Sequence, residues 1–159
     1  MTNILRFVQV FALGTWVGSI FYFSAAVAPG AFRVLPSQDL AGLLVEFTLR
    51  RLHTLGVAAA IVFLLASAVL AISTSVPGKA LVLPAAGVAI MLVLTVVSQQ
   101  VVIRRMMDLR RQMGSVASTP VDSPLRVEFD RLHQVSVKLE GATLLIGFAS
   151  LFLTVRYSA

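Results

Sequence analysis

Of the 159 residues, 58% are hydrophobic and 13% are charged, with a mean hydropathy of +0.92. Such a chain has too little polar surface to cover a water-facing globule, so it belongs in lipid as a single domain. The net charge of +6 is gathered in arginine pairs at the ends of apolar runs (Arg50-Arg51, Arg104-Arg105, Arg110-Arg111). That is a signal for topology and anionic-lipid headgroups rather than a nucleic-acid face, and the absence of cysteine excludes disulfides, CxxC redox chemistry and thiolate metal sites.

Phe7 to Ala28 carries no charge and exceeds the roughly 20 apolar residues that cross a bilayer core. It is longer than a signal-peptide core, and Pro29 after Ala26-Val27-Ala28 is a poor cleavage position, so the helix is expected to be retained. Gly14 and Gly18 form GxxxG, which lets a second helix approach closely and serves as a helix-packing candidate. Pro29-Gly30 is expected to end or kink this helix, and residues 32–36 to turn.

Ser37 reads as an N-cap for an amphipathic helix over 38–51, with Leu40, Leu43, Leu44 and Phe47 on one face and Asp39 in the first turn. This helix should run unbroken into a second span, 52–76, with a tight connection at Pro77-Gly78. A third span, 80–104, contains Pro84 and ends at Ser98-Gln99-Gln100, followed by a basic helix to Met113 and a linker over 114–123. Ser123-Pro124 reads as an N-cap with proline at the first helical position. A short amphipathic helix, 124–131, with an Arg126/Asp130 pair on its wet face, then leads into the fourth span, 132–156.

The expected fold is all-α: an integral membrane four-helix bundle made of two parallel-related hairpins with long cytoplasmic helical extensions. Nine arginines lie in the two long loops, against Arg6, Lys79 and Arg156 at the other end. The positive-inside rule therefore puts both long loops in the cytoplasm and both termini outside, in a plasma (inner) membrane.

The hairpins share an echo. Val45-Glu46-Phe47 and Arg51-Leu52-His53 in the first match Val127-Glu128-Phe129 and Arg131-Leu132-His133 in the second. These segments hold both histidines of the protein, each opening an apolar run. A duplicated pair packed about an axis along the membrane normal would bring His53 and His133 to one depth. Ser136 and Glu140 share the helical face of His133, and Gln99 and Gln100 reach the same leaflet from the third span. A carboxylate at the depth of Glu140 is costly, so it should face the interior, neutral, paired or ligand-bound.

Three residue patterns, Gly14-x-Trp16-x-Gly18, Phe32-Arg33-x-Leu35-Pro36, and Phe129 with Leu132-His133-x-x-Ser136, resemble the transmembrane-protein-205-like family. These are small bacterial and animal membrane proteins carrying a domain of unknown function, the animal member being associated with resistance to platinum drugs. The resemblance implies Asn at the place of Glu140 and an amide near Gln100, so Glu140 makes this chain more acidic than the family pattern. A fainter likeness runs to copper-resistance membrane proteins and four-helix haem-associated oxidases.

Three functional readings follow. In the first, His53, Gln99, Gln100, His133, Ser136 and Glu140 bind a small cation or polar ligand, with His53, His133 and Glu140 as metal ligands for a divalent ion. In the second, His53 and His133 are the axial ligands of haem b. In the third, the protein is a structural or assembly partner, a homo-oligomer through Gly14 and Gly18. No sequence pairs a nucleophile with a base, and hydrolytic catalysis is not expected.

Overall fold

A computed structural model describes residues 2–73 and 78–157. Four helices account for nearly all of it: Thr2–Val34, Gln38–Ser73, Gly78–Met113 and Pro124–Arg156. The predicted turn at Pro77 and the last residues of the second predicted span, 74–76, lie outside the described residues. Consecutive helices are neighbours and the fourth closes the ring against the first, so the second and fourth face one another across the middle. The Arg6 guanidinium donates to the Tyr157 carbonyl, which brings both chain ends to one end of the bundle.

Each helix turns one stripe inward at alternating spacings of four and three, the period of left-handed bundles. The stripes are Gln9, Leu13, Trp16, Ile20 and Phe23; then His53, Gly56, Ala60, Phe63, Ser67 and Leu70; then Pro84, Val88, Met91, Thr95, Ser98 and Val102; and finally Ser136, Glu140, Thr143, Gly147, Ser150 and Thr154. The remaining faces are apolar and exposed, as lipid requires. Since lipid drives no helix together, contact comes from close approach of small residues. Gly56 receives the Trp16 ring, Gly147 receives Val17 and Met91, and Gly87 receives the Ser150 hydroxyl. The fourth stripe is the most polar. Its hydroxyls cost little because Thr143 and Thr154 donate to the carbonyls of Leu139 and Ser150 in their own helix.

Pro29 does not end the first helix. It follows a π-helical segment, Phe23–Val27, where the regular ladder is already interrupted, and the helix resumes over Ala28–Val34. The third helix has a π segment at its corresponding place, Ser98–Ile103. Ser37 caps as its sequence suggests, its hydroxyl accepting from the Leu40 N–H at 3.2 Å. Ser123 makes no side-chain cap bond, leaving Pro124 to start the last helix. Leu40, Leu43, Leu44 and Phe47 lie exposed, with the Arg51 guanidinium over the Phe47 ring. The opposite face of that extension points inward.

Helices of 33 to 36 residues are about 50 Å long, against a hydrocarbon core of about 30 Å. Counting about 20 residues from Ser73 and from Arg156 puts the far edge of the hydrocarbon near residues 53 and 136. Everything beyond, at the long-loop end, stands at headgroup depth or in water.

Candidate functional site

Beyond the level of His53 the bundle opens. There the inward stripes of the second and fourth helices continue at the same spacing, through Leu49, Glu46, Gly42 and Asp39 on one and through His133 and Phe129 on the other. Together with the ends of the first and third helices they enclose a cavity of about 470 Å³. Its walls are mainly apolar, with Phe23, Val45, Ile103, Phe129 and Leu144 among them.

Glu140 lines the deep end of this cavity and is paired across the bundle with His53, Oε2 to Nε2 at 3.2 Å. His53 is 0% exposed and Glu140 8%. A carboxylate at this depth is costly, and the hydrogen bond to the imidazole offsets part of that cost. The other ring nitrogen, His53 Nδ1, is buried without a hydrogen-bond partner, as are Trp16 Nε1 and Ser98 Oγ.

The mouth is closed on one side by the 114–123 loop. Gly114 ends the third helix with φ 72°, a left-handed turn that favours glycine, its N–H donating to the Arg110 carbonyl. Asp39 then accepts from the Ser115 hydroxyl and from the backbone N–H of Val116 at 3.0 Å and Ala117 at 3.4 Å. Asp39 lies about 50 Å from Ser73 along its helix, well outside the apolar span. The Ser115 hydroxyl, with help from the two backbone N–H groups and nearby Arg110, holds its carboxyl below the ordinary carboxylate value. From the other side Arg126 donates to both Asp130 oxygens and to the Val116 carbonyl.

Of the residues singled out in the sequence, the structure brings together His53 and Glu140, with Ser136 and His133 on the same cavity wall. His133 is exposed into the cavity mouth. Gln99 is half-buried and Gln100 exposed, and neither lines the cavity. The expectation that both histidines share a depth is overturned. The echo pairs positions 80 apart, 53 with 133, whereas the contact across the bundle pairs positions 87 apart, 53 with 140. The fourth helix is thus slid by one heptad, about 10 Å, relative to the duplicated motif.

This slide bears on the metal and haem readings. Among the described residues no three of His, Cys, Asp and Glu gather as a set that could hold a metal ion. Bis-histidine haem ligation needs two imidazoles facing one iron. Here one is committed to a carboxylate and the other sits a heptad away, so the residues do not fit that group. Gly14 and Gly18 face away from the core: a Cβ at either would meet no atom within 4 Å.

Asp39, Glu46, Arg110, Arg126 and Asp130 line the same cavity and were not singled out from the sequence. Extending the three-four spacing backwards from His53 reaches Glu46 and Asp39. No comparable signal points to Arg110, because the loop decides how its helix end turns.

Residues 11–115 match a family model described as Domain of unknown function (DUF4149). The match includes His53 and stops before the helix that carries Glu140. No curated protein and no solved structure matches the chain.

Proposed function

The chain belongs to the DUF4149 family, and within it we propose that this multi-pass membrane protein binds a small cation or polar ligand in the cavity beneath the 114–123 loop. The observation that carries the reading is a buried acid–imidazole pair at the floor of a 470 Å³ space. Buried ionisable groups inside membrane bundles are expensive and mark ligand or ion paths. The chemistry is proton exchange. In this reading Glu140 and His53 share one proton, which a cation reaching Glu140 displaces and which leaves through the cavity; a monovalent ion leaves the charge of the floor unchanged and a divalent ion raises it by one. Ser136 and His133 offer further oxygen and nitrogen donors along the wall, which suits a transport-accessory or resistance role. The arginines of the long-loop end support a cavity mouth on the cytoplasmic side by the positive-inside rule. Kinship with the transmembrane-protein-205-like group is part of this proposal, resting on the Gly14-Trp16-Gly18 and Phe129-His133-Ser136 patterns.

The test is a titration of purified protein in lightly buffered nanodiscs with zinc, nickel and sodium ions, read by a pH dye and by Tm. Binding releases about one proton per ion and raises Tm. Glu140→Gln abolishes both responses, and His53→Ala weakens them. Neither proton release nor a Tm shift with any of these ions would remove the reading.

A second reading, assembly with another copy, is favoured by the open face at Gly14 and Gly18. It requires that Gly14→Leu with Gly18→Leu lowers the oligomeric state in detergent. An unchanged elution volume ends it.

A further inference from the structure

The mouth of the cavity holds an arginine, Arg110, that makes no close ion pair among the described residues. Arg110 reaches from the end of the third helix across to the second, where its Nη2 would lie 2.6 Å from a Cβ at Gly42. Gly42 leaves the space that the guanidinium occupies. The opposite side of the guanidinium faces the Phe129 ring, with Cζ 5.7 Å from the ring centroid. Nε and Nη1 are buried and have no hydrogen-bond partner. The nearby acid is spent elsewhere, since Asp39 is occupied by the Ser115–Ala117 segment and makes no ion pair with Arg110. Arg126 is likewise taken by Asp130 and the Val116 carbonyl.

Buried guanidinium N–H groups without partners are costly, and planar paired donors match a carboxylate or phosphate. The place is therefore built for an oxyanion. Its surroundings say what else that molecule carries. Phe129, beside Arg110, lies 11 residues before Glu140 on one helix, so the cavity runs about 16 Å from mouth to floor. Spread over that length, 470 Å³ leaves a cross-section of about 30 Å². That is a narrow, mainly apolar channel at headgroup depth, wide enough for one hydrocarbon chain.

We propose that the cavity takes an amphiphile with a single hydrocarbon chain and an oxyanionic head, the head on Arg110 and the chain lying between Phe129, Val45 and Ile103 toward the floor. The proposal rests on the cavity being a ligand site, as argued above, and adds a second recognition point about 16 Å from the first.

The experiment uses the full chain in neutral-lipid nanodiscs and reads Tm against dodecanoate, dodecyl phosphate, dodecanol, acetate and inorganic phosphate. Dodecanoate and dodecyl phosphate should each raise Tm by several degrees, while dodecanol, acetate and phosphate leave it in place. Arg110→Gln should weaken the apparent affinity for both amphiphilic anions about tenfold or more. Arg104→Gln, an exposed arginine on the same helix and outside the cavity, should leave it unchanged. If Arg110→Gln fails to fold, Gly42→Val carries the test from the facing wall by filling the guanidinium's place, with the same expected loss.

An undiminished shift in the variant used overturns the proposal, as does an equal shift with dodecanol, which would mean chain burial alone. An equal shift with inorganic phosphate overturns it in favour of a free-anion site. The cation-driven proton release at Glu140 is read in the same samples. Its loss with the oxyanion shift intact removes only the earlier reading, and the converse removes only this one.

Discussion

The two histidines stand in nearly the same local sequence and end in opposite surroundings. His53 is sealed on the bundle axis against Glu140, while His133 opens into a cavity mouth. Both sit on the inward stripe of their helix. What separates them is how far each motif lies from the start of its helix: His53 comes 15 residues after Gln38, His133 only 9 after Pro124. Because the second and fourth helices begin nearly level, the shorter lead leaves His133 about a heptad nearer the water. A duplicated motif can thus supply one half of a buried acid–imidazole pair in one copy and an accessible imidazole in the other.

The largest expected effect separates the two directly. Glu140→Ala leaves a buried imidazole without its partner and should destabilise the protein by about 3 kcal/mol. A His53/Glu140 double-mutant cycle should return a coupling of about 1–3 kcal/mol. His133→Ala, measured in the same unfolding assay, should stay within about 0.5 kcal/mol of wild type. Equal losses at the two histidines would break the contrast.

Next comes the packing that holds the offset. A Cβ at Gly56 would collide with Trp16 Nε1, so Gly56→Ala should cost about 1–3 kcal/mol by forcing the indole to move. Ser136→Ala, at the echo position of Gly56, should be nearly neutral in a thermal melt. A smaller effect is expected at the far end of the bundle, where Gln9 Nε2 donates to the Ser67 hydroxyl at 2.7 Å. Gln9→Ala should lose about 0.6 kcal/mol, the usual worth of one hydrogen bond between membrane helices.

The smallest concerns the loop over the mouth. The Asp39 carboxyl is held below its ordinary value of 3.8, so its tether is fully present above that pH. The tether is lost as pH falls through the lower folded value. Proteolysis of the 114–123 loop should therefore quicken in acid below the ordinary carboxylate range, and Asp39→Asn should show the faster cleavage at neutral pH as well. A cleavage rate flat with pH down to that range and equal in both proteins would detach Asp39 from the loop.

Much of the architecture was legible residue by residue. Four apolar runs, interrupted by arginine pairs and Pro/Gly punctuation, leave little choice but a four-helix membrane bundle. The cost of a carboxylate in the fourth run already required Glu140 to face inward. Its partner was not legible, since His53 and His133 are indistinguishable by neighbours, spacing and polarity. Gln99 and Gln100 misled because the inward stripe of their helix runs through Thr95, Ser98 and Val102 and leaves both amides off it.

Sequence by itself determined the solvent and the number of crossings, because these depend on composition and on the length of each apolar run. Axial register was decided only by the tertiary structure. Sliding one helix past another by a heptad restores the same stripe, so local pattern cannot choose between the alternatives. The choice falls to side-chain shape, to Trp16 against Gly56 and to Val17 and Met91 against Gly147, and with it the identity of the residue that meets His53.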